Sequence, residues 1–145
     1  METWQVVARE SIRDLVTRYN SNGDTGRFAE VIKLFAPDAV MELTGRTYAG
    51  IDEILTIFTE ARARDGESVT PGYVRHMTAT HQIDVIDAEH ATGRCYFQVL
   101  TSIGIDHWGR YVDDYRLVDG QWRFARRKVT VDGQSPDSTF PTSLS

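Results

Sequence analysis

Apolar residues fall at Trp4, Val7, Ala8, Ile12, Leu15, Val16 and Tyr19, with Arg9, Glu10, Arg13, Asp14 and Arg18 between them. That spacing predicts an amphipathic helix, ended by Asn20-Ser21-Asn22-Gly23, whose residues tolerate left-handed backbone. Phe28, Val31, Ile32 and Phe35 share one face of a second helix, which Pro37 would end. After Pro37 the period shortens to that of strands over 39–43 and 46–49, with Thr44-Gly45 as the turn. Ile51, Ile54, Leu55, Phe58 and Ala61 return to helical spacing as far as Asp65-Gly66. Beyond a loop over 67–72, extended patterns predict strands over 73–78, 81–87, 91–101, 109–118 and 121–131. Asp119-Gly120 is a pair that favours a two-residue hairpin. Helices first and long antiparallel strands later is an α+β pattern. The stretch from Gly133 holds two of the four prolines and many Ser and Thr residues, so a domain over 1–132 with an irregular tail over 133–145 is expected.

Composition narrows the function. The chain has 145 residues, 41% of them hydrophobic and 26% charged, which fits one domain with a sizeable core. Sixteen basic against 21 acidic residues give a net charge of −5. The longest basic run is Arg126-Arg127-Lys128, so the basic stripe that a nucleic-acid partner requires is missing. One cysteine, Cys95, allows no internal disulfide and fits a reducing compartment. Its setting, Arg94-Cys95-Tyr96-Phe97, reads as a packed strand residue. There is no cluster at zinc-ligand spacing, no phosphate-cradling glycine loop and no dinucleotide fingerprint. No apolar run of about 18 residues occurs, and no basic n-region precedes an apolar one at the start. The expectation is a soluble cytoplasmic protein with no metal, cofactor or membrane partner.

Three polar residues are placed to do chemistry. A curved sheet wrapped by helices would enclose a conical cavity. Tyr19 ends the first helix on its apolar face, Asp24 follows five residues later, and His76 lies on the first strand of the main sheet. Imidazole is the side chain whose unperturbed pKa lies near neutrality, and a carboxylate on its second ring nitrogen would fix its tautomer. The same residues have structural readings: Asp24 can cap the second helix, and His76 can be a hydrogen-bonded core residue. His81 would face the opposite side of the strand unless a bulge intervenes near Thr78-Ala79-Thr80. His90 falls in a turn, and His107, beside Trp108 and Gly109, reads as part of a hairpin tip. One of Asp113 and Asp114 must face inward, where it can act as an acid or pair with Arg127. Phe140, between Thr139 and Pro141, is placed to plug the cavity mouth.

The order Ile12-Arg13-Asp14-Leu15, Tyr19, Asp24, Leu34-Phe35-Ala36-Pro37-Asp38-Ala39, Tyr48-Ala49-Gly50, Arg75-His76-Met77-Thr78 and Asp119-Gly120-Gln121-Trp122-Arg123-Phe124 resembles the SnoaL-like branch of the nuclear transport factor 2-like superfamily, from about Glu10 to Val129. The resemblance implies a cone-shaped α+β barrel, with three N-terminal helices packed on a strongly curved, mostly antiparallel sheet. Within that superfamily the arrangement is similar to scytalone dehydratase, bile-acid dehydratase and hexachlorocyclohexane dehydrochlorinase. It implies His76 as base, Asp24 as its orienting carboxylate, and Tyr19 as acid or hydrogen-bond donor. Tyr48 would be a second phenol and Arg127 a cationic pocket residue. Phe58, Phe97 and Tyr111 are expected on the cavity wall, as are Trp4, Val16, Val99 and Tyr115, although alternation turns some of these outward.

The expected activity is therefore a cofactor-independent, dehydratase-like lyase acting on a small or medium apolar cyclic substrate. Isomerases, polyketide cyclases, epoxide hydrolases and non-catalytic ligand-binding or assembly modules share the fold and remain alternatives. A sheet face left bare by the helices implies a homodimer or homotrimer.

Overall fold

The computed structural model describes residues 1–66 and 72–141. Three helices, α1 (Thr3–Asp24), α2 (Phe28–Ile32) and α3 (Ile51–Gly66), accompany six strands. The strands are β1 (Phe35–Leu43), β2 (Arg46–Ala49), β3 (Arg75–Val85), β4 (His90–Thr101), β5 (Gly104–Val118) and β6 (Gln121–Gln134). They form one sheet in the order β2-β1-β6-β5-β4-β3. Only β1 and β6 run parallel; the other neighbours are antiparallel. The sheet is strongly curved and does not close, with β2 and β3 as its edges, so the molecule has the expected cone-shaped α+β fold. No described helix is long and apolar enough to cross a membrane.

Burial alternates along most of β4 and, from His107 to Tyr115, along β5, which separates a concave face from an exposed convex one. Cys95, Phe97 and Val99 of β4, Tyr111, Asp113 and Tyr115 of β5, and Phe124 and Arg127 of β6 are all buried. The apolar stripe of α1, with Ile12, Leu15, Val16 and Tyr19 buried, joins the same core. Register shifts at Ala79/Gln82, Val99/Leu100, Trp108/Gly109 and Asp114/Tyr115 bend the long strands around that helix.

Several element boundaries differ from expectation. Helix α1 runs through the expected stop at Asn20-Ser21-Asn22-Gly23 to Asp24, where Asn22 and Thr25 side chains donate to the Arg18 and Ser21 carbonyls at 2.9 and 2.8 Å. These bonds satisfy carbonyls that would otherwise end the helix in water. The chain then turns at Gly26, whose φ of 74° is open to glycine at little cost. Helix α2 has only five residues, and Phe35 and Pro37 belong to β1 instead. Pro37 is tolerated there because it lies in the irregular stretch between the Phe35 and Val40 pairings with β6. The strands expected over 73–78 and 81–87 are a single bulged strand, β3. Strand β5 begins at Gly104, five residues early, and β6 runs to Gln134. The Asp119-Gly120 turn has positive φ at both residues, as a two-residue hairpin of this twist requires.

Candidate active site

The last residue of α1 supplies a carboxylate to β3. Asp24 Oδ2 accepts the His76 backbone N–H at 2.8 Å, and Oδ1 lies 2.6 Å from His76 Nδ1. Asp24 has 9% of its side chain exposed and His76 26%, so the contact is shielded while the imidazole still reaches the surface. A carboxylate at a helix C-terminus is opposed by the macrodipole, at a cost of about 0.3–1 kcal/mol. Asp24 does not cap α2, whose N-cap is Arg27 and carries no side-chain cap. Its two contacts to one histidine are what hold it in that unfavourable place. An ionised carboxylate only accepts, so Nδ1 carries a proton, and in the neutral imidazole the lone pair is on Nε2.

The interior of the cone carries a buried ion pair. Arg127 and Asp113 are both buried, with Nε and Nη2 of the guanidinium donating to Oδ1 and Oδ2 at 2.8 Å each. The guanidinium carbon lies 3.9 Å from the Tyr111 ring centre, 4.2 Å from that of Phe124 and 4.3 Å from that of Tyr19, which adds cation–π attraction on several sides. Burial works against the Arg127 charge, but Asp113 outweighs it and holds the pKa above the ordinary arginine value. Burial raises the Tyr19 phenol, against the pull of Arg127, and raises Tyr111 further, so both rings stay protonated donors. The open clefts lie elsewhere. One of about 530 Å³ runs along Glu42–Thr47 and Lys128–Thr130, and one of about 400 Å³ lies between Trp4, Val7, Leu117 and Trp122. Neither of these two borders His76 or Asp24.

A second imidazole–carboxylate pair stands at the rim. His107 Nδ1 is 2.9 Å from Asp106 Oδ1, and its ring is 6.5 Å from that of His76. Burial lowers the His107 pKa, Asp106 opposes the shift, and His76 adds to it. Burial also works against the Asp106 carboxylate, yet donors from Ser138, His107 and Thr101 hold it below the ordinary value. The Phe140 ring stacks on His107 at 3.9 Å between centres, held by Ser138, whose hydroxyl donates to Asp106 and accepts from the Phe140 N–H. His107 is thus a buried strand residue rather than part of a hairpin tip.

Deeper in, the bulge after Ala79 turns His81 inward. Thr80 has a φ of 55°, a strained value for a β-branched residue. His81 Nε2 sits 3.2 Å from the Tyr115 hydroxyl, which donates to Asp113 at 2.8 Å. That hydroxyl proton is committed, so Nε2 is the donor to Tyr115. Burial lowers the His81 pKa. Burial pushes the Cys95 thiol up to about 11, as befits a packed residue without nucleophilic character.

The structure therefore brings His76 to Asp24, with Phe97 6.3 Å from the His76 ring and stacked on Tyr111 at 4.7 Å. Tyr19 joins Phe58, Tyr111 and Arg127 in the interior. Tyr48 is buried on β2, under the Arg46 guanidinium, at the sheet edge opposite the strand of His76. Trp4 is 43% exposed and is not a wall residue. Asp106, His107, Ser138 and Asn20 are functional candidates that the sequence alone does not point to; the adjacent Asp106-His107 pair is a signal for those two residues only.

An α1 helix laid in a strongly curved sheet is also the fold of solved proteins described as cystatin-like and NTF2-like. A family model described as a SnoaL-like domain matches residues 4–128, and the chain belongs to that family. Among solved structures, a candidate scytalone dehydratase from Novosphingobium aromaticivorans is 20% identical, with a TM-score of 0.80 over 93% of this chain and 91% of that one. A Mycobacterium tuberculosis protein of unknown function is 30% identical, with a TM-score of 0.74 over 95% of this chain and 79% of that one. LinA is 17% identical, with a TM-score of 0.78 over 95% and 96%. Curated protein sequences give no match.

Proposed function

We propose that the chain is a cofactor-independent, dehydratase-like lyase in which His76 is the base and Asp24 its orienting carboxylate. The substrate is a small or medium apolar ring carrying a hydroxyl and a carbonyl. The observation that carries this reading is the two-point grip of Asp24 on His76, which protonates Nδ1 and leaves Nε2 bare at the partly exposed rim. His76 Nε2 takes a proton from the carbon beside the carbonyl, and Asp24 stabilises the imidazolium. The electron pair moves through the enolate to expel the hydroxyl, which leaves as water with a proton returned from His76 or Tyr19. Tyr48, Arg127, Phe58, Phe97 and Tyr111 form the substrate-binding set, and Phe140 must leave its stack on His107 to admit a ring.

A structural neighbour named as a candidate scytalone dehydratase supports elimination on a hydroxylated ring. Homodimer or homotrimer assembly would use the convex sheet face, where Met77, Tyr96, Trp108 and Val112 are exposed. Hydroxylated cyclic ketones offered to the protein should lose one water by mass, and His76→Gln should slow this by about 10²–10⁴. A product of unchanged mass would mark an isomerase, and a gain of water an epoxide hydrolase. Binding without turnover, indifferent to Asp24→Asn, would leave a non-catalytic module.

A further inference from the structure

Two buried nitrogens in the interior have no acceptor among the described residues: Arg127 Nη1 and Asn20 Nδ2. Both residues are more than nine-tenths buried. Every other interaction of these side chains fixes where the orphaned atoms point. Asp113 holds Nε and Nη2 of Arg127, leaving Nη1 as the nitrogen without a partner. Tyr111 donates its hydroxyl to Asn20 Oδ1 at 3.2 Å, leaving Nδ2. The same Tyr111 ring lies 3.9 Å from the guanidinium carbon, so both donors border one aromatic wall. A buried donor with nothing to bond is costly and rarely left so in a native protein.

We infer that Asn20 Nδ2 and Arg127 Nη1 together receive a carbonyl oxygen of the substrate, with Asn20 as the specificity-determining residue; this rests on the lyase reading above. Asn20 and Asp24 are i and i+4 on α1, so Asn20 stands about 6 Å along the helix axis from the dyad carboxylate. That separation suits a single ring, with its acidic C–H at His76 and its carbonyl one turn deeper. The charge state of the receptor selects the class of oxygen. The Arg127 charge is cancelled by Asp113, and both side chains are fully buried, so a carboxylate would bring an uncompensated charge into a closed site. A ketone brings none, yet its oxygen gains negative charge as the enolate forms, when the two donors bind it more strongly. The receptor therefore takes neutral cyclic ketones and rejects ring carboxylates of similar size.

The test is binding of carbonyl-¹³C cyclohex-2-enone, read by isotope-edited infrared spectroscopy and titration, against cyclohex-1-enecarboxylate. The wild-type protein should shift the ketone band to lower frequency and prefer the ketone by about tenfold or more. Asn20→Leu should lose that shift and bind about tenfold more weakly, the size of one hydrogen bond to a carbonyl. Asn20→Asp, which keeps the acceptor for Tyr111 and removes the donor, should lose the shift as well, so the result does not hang on one variant folding. His76→Gln separates the two proposals. If it loses turnover but keeps the shifted band, both stand; if turnover survives it while the band still depends on Asn20, only the lyase reading fails. No binding by the wild type, equal binding of the carboxylate, or an unshifted band that ignores both Asn20 variants overturns the carbonyl receptor.

Discussion

Asp24→Asn tests the dyad without any knowledge of the substrate. The wild-type carboxylate accepts from both His76 N–H and Nδ1–H, at 2.8 and 2.6 Å. The amide can satisfy only one of these. If its oxygen keeps the backbone N–H, its NH₂ faces the ring and Nδ1 must become an acceptor, which moves the ring proton to Nε2. The base lone pair then points back at the helix rather than outward, and the same tautomer error in a hydrolytic triad drops kcat by about 10⁴, or about 5 kcal/mol of barrier. Stability should change far less. A charge-assisted bond worth about 1.5–3 kcal/mol becomes a neutral one, while removing a negative charge from the helix C-terminus returns about 0.3–1 kcal/mol. The net cost is about 1–2 kcal/mol, well inside the stability of a domain of this size. Ring ¹⁵N shifts read the tautomer directly: Nδ1–H with bare Nε2 in the wild type, reversed in the variant. A wild-type His76 protonated on Nε2 alone, or a variant with the ring unchanged, would refute the reasoning whatever the activity proved to be.

Three further outcomes follow from the interior and the rim. Asp113→Leu alone should cost about 3–5 kcal/mol because it leaves the Arg127 charge buried and unpaired; Asp113→Leu with Arg127→Leu should recover much of that loss in urea denaturation. Stability should fall as pH drops below the ordinary histidine value of about 6.5, because the lowered pKa values of His81 and His107 mean that the unfolded chain binds protons before the folded one does. His81→Gln with His107→Gln should flatten that slope in equilibrium denaturation across pH. Phe140→Ala should remove part of the cover that keeps His107 uncharged, so its NMR titration should move up toward the ordinary value; an unchanged His107 midpoint would mean that the stack contributes nothing to its burial.

Most of the architecture could be read from periodicity, since helices α1 and α3 and strands β2 to β6 all show in the spacing of apolar residues. The boundaries that escaped have local causes. Asn20 to Asn22 look like a helix stop until Asn22 and Thr25 are seen bonding back to the preceding turn. Phe35 continues the apolar spacing of α2, yet tertiary pairing with Phe124 draws it into a strand, where packing overrides a five-residue helix pattern. The rest of the site was less legible. Asp24 and His76 are separated by 52 positions in the chain, and no spacing rule joins them; the resemblance to SnoaL-like proteins suggested the pair. His81 depended on a bulge that was foreseen only as a condition, and His107 on five extra residues at the start of β5. Asn20 carried no signal at all, because a helix-ending asparagine is ordinary until the helix is seen to continue past it.

The polar interior is hard to explain as a means of holding the fold together. A buried ion pair replaced by apolar side chains of similar volume is often neutral or stabilising, and here the surrounding sheet also gives up packing to keep the pair. A Cβ on Gly93 would meet the Tyr115 ring at 2.9 Å and its hydroxyl at 3.0 Å, so a side chain is absent from the middle of β4 where Tyr115 reaches over to Asp113. The backbone at Thr80 is strained to bring His81 to the same hydroxyl. Asp113 thus accepts from Arg127 and Tyr115, and its grip on Nε and Nη2 leaves Nη1 unpaired. A protein selected only for stability would bond that nitrogen or replace it. Its retention beside the Asn20 amide, one helical turn from the Asp24 carboxylate, fits a receptor for an oxygen atom better than a device for stability.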